Sequence, residues 1–241
     1  MMMEINAAAL FRMVSYASVQ LHAESEAINR LNVFPVPDGD TGSNMSMTME
    51  GIDGHAEAAE DVAACAAAMG AGMLRCARGN SGVILSVFFR GFAKGLAGIV
   101  VATARDIVRA MQSGVEAAYG AVMNPTEGTI LTVMRACAEA ARHYYDGVGE
   151  DATLEDLFAA MVSEAHVALE NTPELLPMLK KAGVVDAGGY GFEIILRAMQ
   201  ASLLGQEGDF TPISYARPAA QSVPMSADFN AFKAYLLDSA E

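Results

Sequence analysis

The sequence predicts an all-α fold, a bundle of eight antiparallel helices, and three observations carry that prediction. Ala, Val, Leu and 16 Met make up most of an apolar fraction of 53%, with no Trp and only 7% aromatics. That composition favours helices, because Ala, Leu and Met lose little freedom there. Apolar residues recur at helical spacing along most of the chain, and no run alternates with period two for long enough to define a strand.

Taken in order, helices are expected at about residues 6–28, 44–52, 57–77, 82–97, 104–122, 129–145, 154–170 and 189–204. Thr41 or Ser43 is placed to cap the second. Cys65 and Cys76 fall on one face of the third, where a thiol serves as a small buried hydrophobe. With Cys137 they follow no zinc or redox spacing and fit a reducing cytoplasm. The most apolar stretch, residues 82–101, holds the fourth helix. Arg90 and Lys94 in its middle, thinned by Gly91, Gly95 and Gly98, argue against a membrane span. Thr103 with Asp106 and Thr153 with Asp156 start the fifth and seventh helices, each a hydroxyl followed three residues later by an acid. Pro173 and Pro177 bracket a short helical piece before the eighth. Beyond Gly208 the text becomes linker-like, "TPISYARPAAQSVPMSAD", and ends in an amphipathic "FNAFKAYLLDSA". The expected organisation is one domain over residues 1–207, then a linker and short helix over 208–241 that read as the start of a further domain.

The opening MMMEINAAAL has no basic region ahead of an apolar run, so no secretion signal is expected. A formal charge of −14 argues against a nucleic-acid partner, which needs a basic face. It does not forbid a nucleotide, since bound divalent cations reverse the local sign.

If eight helices run up and down through short connections, the odd-numbered connections share one end. Those are residues 29–43, 78–81, 123–128 and 171–188, and they hold or border VPDGDTGSN, ARGNSG, NPTEGT and GVVDAGGYG. The connections near 53–56, 98–103 and 146–153 are ordinary turns. Every chemically loaded loop is thus expected at one end.

Pro35 and Pro37 push Phe34 and Val36 into extended backbone. In an extended stretch Asp38 and Asp40, two apart, face the same side, and Gly39 lets the chain fold closely around what they hold. Converging carboxylates repel unless something positive sits there, and a hard cation with oxygen ligands is the natural occupant. The plainer alternative, an Asx-turn leading into a helix cap, accounts well for Ser43 and poorly for the second Asp. An EF-hand fails, because Ser43 and Met49 stand where its loop requires Gly and Glu. GNSG at 79–82 and EGT at 127–129 each open a helix, whose free N–H groups and dipole attract anions. Ser81 and Thr129 can offer hydroxyls there, and Gly82 lets a ligand approach the backbone. Singly, each loop reads as well as a helix stop and cap. No GxxxxGK[ST] and no GxGxxG occurs. Arg78 either caps helix carbonyls or touches phosphate.

"LNVFPVPDGDTGSNM", "ARGNSGVILS", "PTEGTILTVMR" and "VVDAGGYGF" together closely resemble the N-terminal kinase domain of bacterial fatty acid kinase, in the dihydroxyacetone kinase L-subunit family. The resemblance covers about residues 5–205. It implies an eight-helix antiparallel barrel with ATP bound at one end through magnesium. It implies Asp38 and Asp40 as catalytic magnesium ligands, Asn44, Ser81, Gly82 and Thr129 around the phosphates, and Asp186 and Gly188 near the nucleotide. A fatty-acid-carrying protein is the implied partner, and a homodimer is compatible with it. Two positions depart from dihydroxyacetone kinases. Asn32 stands near the place of a third aspartate, and Asp186-Ala187-Gly188 replaces Asp-Pro-Gly; both point toward the fatty acid branch. A dihydroxyacetone (glycerone) kinase-type subunit and a nucleotide-binding regulatory module without transfer are the alternatives.

Overall fold

Residues 3–52, 54–213 and 215 are described by a computed structural model, and helices dominate them. In order these are α1 (Ala7–Ala23), α2 (Ser25–Leu31), α3 (Thr41–Met49), α4 (Gly54–Glu57), α5 (Val62–Cys76) and α6 (Gly79–Gly95). There follow α7 (Ala104–Gly120), α8 (Ile130–Val148), α9 (Leu154–Glu170), α10 (Thr172–Leu175), α11 (Pro177–Ala182) and α12 (Ala187–Leu203). The fold is all-α, as the composition and periodicity require. The expected first helix breaks at Glu24 (φ −95°, ψ 2°) into α1 and α2. Thr103 and Asp106 form the expected capping box, and the Thr153 hydroxyl accepts the Asp156 N–H. A two-residue antiparallel ladder, β1 (Glu4–Ile5) with β2 (Ala102–Thr103), is too short to register as a period-two pattern. The expected "FNAFKAYLLDSA" helix lies outside the described residues.

Packing runs from α1 to α12, α9, α8, α7, α6 and α5, and returns to α1. The α6–α7 pair is the closest-set: a Cβ added at Gly95 would lie 2.6 Å from the Ala110 Cα, so the glycines that thin the apolar stretch let two backbones touch. Nine-residue α3 is wedged between α1, α5, α6 and α12. Where α3 is too short to separate them, α1 meets α5 directly, and the Cys65 thiol lies 3.6 Å from the Ala7 carbonyl oxygen. That end also holds the ladder, and the carbonyls of Ile99 and Val100 accept the first N–H groups of α5.

Close contacts fix the opposite end. A Cβ at Gly82 of α6 would meet Thr48 Oγ1 at 2.3 Å and the Asn44 carbonyl at 3.1 Å, both on α3. One at Gly191 of α12 would meet Met45 Cε of α3 at 2.7 Å, and one at Gly188 would meet Ile130 Cβ of α8 at 3.2 Å. The first turns of α6, α3, α12 and α8 therefore stand in a row. The four connections that precede them gather at this loop end, as helix parity anticipates. No helix among the described residues is long and apolar enough to cross a membrane.

Candidate functional site

The loop between α2 and α3 is organised by two asparagines. Asn32, buried at the end of α2, donates its amide to the carbonyls of Phe34 (3.3 Å) and Val36 (3.2 Å), and its Oδ1 accepts the Asp40 N–H (3.2 Å). The side chain that stands near the place of a third carboxylate is thus taken up inside the loop it shapes. Asn29 reaches across from α2: its Oδ1 accepts the N–H groups of Gly42 (2.8 Å) and Ser43 (3.2 Å), and its amide donates to the Ser43 hydroxyl (3.0 Å). The cap of α3 therefore comes from a residue more than ten positions upstream and not from Thr41 or Ser43. The Phe34–Pro35 peptide is cis, and Gly39 takes φ 68°, the left-handed backbone that glycine adopts without penalty.

With the loop held this way, Asp38 and Asp40 are both exposed, and their carboxyl groups lie near enough for the charge of Asp40 to bear on Asp38. Desolvation first, and then the charge of Asp40 and a hydrogen bond to it, hold the Asp38 carboxyl above its ordinary range. Among the described residues no cluster of three or more His, Cys, Asp or Glu could hold a metal. Two converging oxygen donors still fit magnesium well, since that ion takes one or two carboxylates and completes its shell with water and substrate phosphates.

One helical turn past Asp40, whose carbonyl accepts the Asn44 N–H (2.8 Å), Asn44 meets the start of α6. Gly79 fits there because it lacks a side chain: a Cβ would lie 2.3 Å from the Asn44 amide nitrogen. Helix α6 begins at Gly79, three residues earlier than expected, so GNSG is its first turn and not a loop before it. No side chain caps it, Ser81 is half-buried, and its dipole end remains available to an anion. Arg78 bends back to donate to the Ala77 carbonyl (2.9 Å), the capping alternative. Thr48, fully buried, donates to the Asn44 carbonyl (2.7 Å) and accepts the Arg78 N–H (3.3 Å), pinning the turn to α3. The room at Gly82 is occupied by α3, which makes it a packing glycine.

The α8–α12 junction is built differently. Asp186 is buried and caps α12, accepting the Gly189 N–H at 2.7 Å. Burial pushes its carboxyl up to about 6, while the N–H groups of Gly189, Ile130 and Gly188 pull it down. One carboxylate thereby ties two helix N-termini together, and its own N–H donates to the buried Thr172 hydroxyl (3.0 Å). In the structure the Asp186 oxygens are engaged inside the frame. Gly188 is pressed between Ile130 and the Asp186 carboxylate. The Thr129 hydroxyl donates to the Thr126 carbonyl (2.7 Å), so its proton is not offered to a phosphate in this arrangement. Glu127 accepts from Thr132 (2.6 Å), Arg135 (2.9 Å) and Tyr119 (3.0 Å), fixing the loop ahead of α8. Asn29, Thr48, Thr172 and Glu127 were not singled out from sequence, since each acts on partners that only the fold supplies.

The structure thus joins Asp38 to Asp40, Asn44 to Gly79 and Gly82, and Asp186 to Gly188 and α8. The second and third of these sets meet through Met45 and Gly191. Comparison with known proteins agrees with this architecture. The DAK2 domain model matches residues 35–201, and the chain belongs to that family. It is 42% identical over 196 residues to protein YloV of Bacillus subtilis, covering 80% of this chain and 35% of that protein. An uncharacterized protein of Staphylococcus saprophyticus is 40% identical over 210 residues, covering 86% and 37%. The chain therefore spans little more than a third of the length of these relatives. Among solved structures, the dihydroxyacetone kinase from C. freundii in complex with AMP-PNP and Mg2+ shares the fold, with TM-score 0.59 at 19% identity over 80% of this chain and 34% of that one. The native form of that kinase superposes with the same score over 82% of this chain and 35% of its own.

Proposed function

We propose that this chain is an ATP- and magnesium-dependent phosphotransferase that acts on the carboxylate of a carrier-bound fatty acid and yields an acyl phosphate. The observation that carries the reading is the Asp38/Asp40 pair, joined through Asn44 to the uncapped first turn of α6. The AMP-PNP and Mg2+ bound by the C. freundii kinase support the choice of nucleotide and ion.

Asp38 and Asp40 would hold the metal, and Asn44, Ser81 and the α6 backbone would meet the phosphates. Magnesium, when bound, neutralises the phosphate chain and absorbs the charge that develops on transfer. An acceptor carboxylate oxygen attacks the γ-phosphorus; the new P–O bond forms as the bond to the bridging oxygen breaks, and ADP departs. A carboxylate is already ionised and requires no general base. The histidine of α1, His22, is engaged with Ser46 (3.0 Å) and Glu50 (3.5 Å). Thr129, Gly82, Gly188 and Asp186 contribute as frame. The site lies in the cytoplasm and meets its fatty acid on a second protein, docked at the loop end.

The experiment mixes the full chain with ATP, magnesium and either a lipid-loaded carrier or free dihydroxyacetone, trapping acyl phosphate as hydroxamate. Hydroxamate that depends on magnesium and carrier is expected. Efficient phosphorylation of dihydroxyacetone alone would establish the second reading, a glycerone kinase-type subunit, which the C. freundii fold match favours. Nucleotide binding with no transfer to either acceptor would leave a binding module.

A further inference from the structure

Past α12 the described residues stay on the domain. The chain turns at Gly205 (φ 68°) and runs back along the helix it has just completed. Ser202 donates to the Glu207 carboxylate (2.6 Å) and the Tyr16 hydroxyl to the Glu207 carbonyl (2.6 Å). Phe210 meets the Tyr16 ring edge-on at 6.1 Å and lies under the Arg197 guanidinium at 5.8 Å. Arg197 also donates to the Thr211 carbonyl (3.0 Å), and the Tyr190 hydroxyl donates to the Ile213 carbonyl (2.8 Å). Tyr215 closes the series, its hydroxyl 2.8 Å from His166 Nδ1 and 3.3 Å from Glu193 Oε2. On α12 the partners run backwards, from Ser202 through Arg197 to Tyr190, about 18 Å of helix at 1.5 Å per residue.

Two of these contacts satisfy polar groups that α12 buries. Tyr190 is 1% exposed and Glu193 is 0% exposed. A buried hydroxyl or carboxylate without a partner is costly, so each needs one. The Tyr190 partner is a strap carbonyl. Glu193 is shared between His166 (3.2 Å), on α9, and Tyr215, on the strap. Tyr190 follows directly on Asp186–Gly189, the turn that abuts α8 and, through Gly191, α3. Strap and loop end are therefore attached to the same few residues.

We propose that residues 205–213 with Tyr215 are a latch, closed by Tyr215 on Glu193 and His166, that couples the chain beyond it to nucleotide binding at the loop end through the first turns of α12. The proposal rests on the nucleotide reading above. Docked, the strap holds Tyr190 and with it the α3–α12–α8 row. Undocked, it leaves Tyr190 and Glu193 short of partners and loosens that row. Coupling of this kind is reciprocal, so nucleotide must in turn favour the docked strap.

The test is amide exchange and MgATP titration on the full chain, unmodified and with Tyr215→Phe or Tyr190→Phe. In the unmodified chain, saturating MgATP should slow exchange at residues 206–213. Tyr215→Phe should speed exchange there and at residues 187–190 at least tenfold, leave α6 and α7 unchanged, and raise the MgATP dissociation constant three- to tenfold. Tyr190→Phe should do the same, and the double variant should add little, because both break one latch. Fast strap exchange with unaltered turn exchange and nucleotide affinity would overturn the latch, as would indifference of the strap to MgATP in the unmodified chain. If Tyr215→Phe loosens α6 and α7 as well, that reciprocal measurement decides alone. If the unmodified chain binds no MgATP, the nucleotide reading fails, and exchange at residues 187–190 in the two variants still decides whether strap and turn are linked.

Discussion

The loop end has two halves that differ in where their polar groups are directed. At the α8–α12 junction the donors and acceptors are turned on each other: Asp186 binds α12 to α8, Thr129 its own loop, and Glu127 three neighbours. Around the α2–α3 loop, Asn29 and Asn32 satisfy the backbone, and two carboxylates remain exposed and face one another. The contrast teaches where chemistry is available. Groups already satisfied and buried give up much to meet a ligand, whereas exposed like charges held together gain from one. On the proposed function the open half would be the reactive half, while the closed half holds the starts of α8 and α12 in place.

The largest expected effect breaks the open half. Asp38→Ala or Asp40→Ala should lower metal-dependent phosphotransfer at least a thousandfold, ~4 kcal/mol in transition-state stabilisation. Thermal stability should hold to within ~0.5 kcal/mol, since both side chains are exposed. Turnover that survives in either variant would dissolve the distinction between the halves. Asp186→Ala should behave in the opposite sense. It strands buried N–H groups at two helix starts, for ~3 kcal/mol of stability by denaturant unfolding. The nucleotide affinity of the molecules that remain folded should change less than that of the Asp38 variant.

Asn29→Ala should cost about 1–2 kcal/mol, the value of a helix cap. Because the same side chain aims the α2–α3 loop, it should also weaken MgATP binding severalfold. An unchanged affinity would show that Asn32 alone sets the carboxylate pair.

These residues also mark what the sequence discloses. Helices such as α7 and α9, expected at 104–122 and 154–170 and found at Ala104–Gly120 and Leu154–Glu170, are legible because their pattern and caps are local. Asp38 and Asp40 are legible for the same reason, being two apart in an extended stretch. Helix α3 begins at Thr41 and not near Asn44 because its cap arrives from Asn29, and no window around position 41 contains that partner. Asp186 reads as a ligand in sequence because its loop resembles a nucleotide loop. Only the fold brings Ile130 and Thr172 to it and turns it inward.

The smallest effect concerns the pH dependence of the closed half. Burial tends to raise the Glu127 carboxyl, but hydrogen bonds from Thr132, Arg135 and Tyr119 outweigh it and hold the group below its ordinary value. A depressed folded-state pKa means that the native protein binds fewer protons than the unfolded chain. The stabilisation is therefore present above the unfolded value and lost as pH falls through the folded one. The Glu127 and Arg135 side chains are 46% and 40% exposed, so solvent screens the pair and its worth is modest. Glu127→Gln should cost ~0.5–1 kcal/mol at pH 7. The gap between the two proteins should narrow as pH drops below the ordinary glutamate range, and it should shrink with added salt. The measurement is a set of urea midpoints from pH 7 downward for both proteins. A gap that stays constant with pH would mean that shape and not charge holds the Thr129 loop, and the closed half would then be a frame of packing alone.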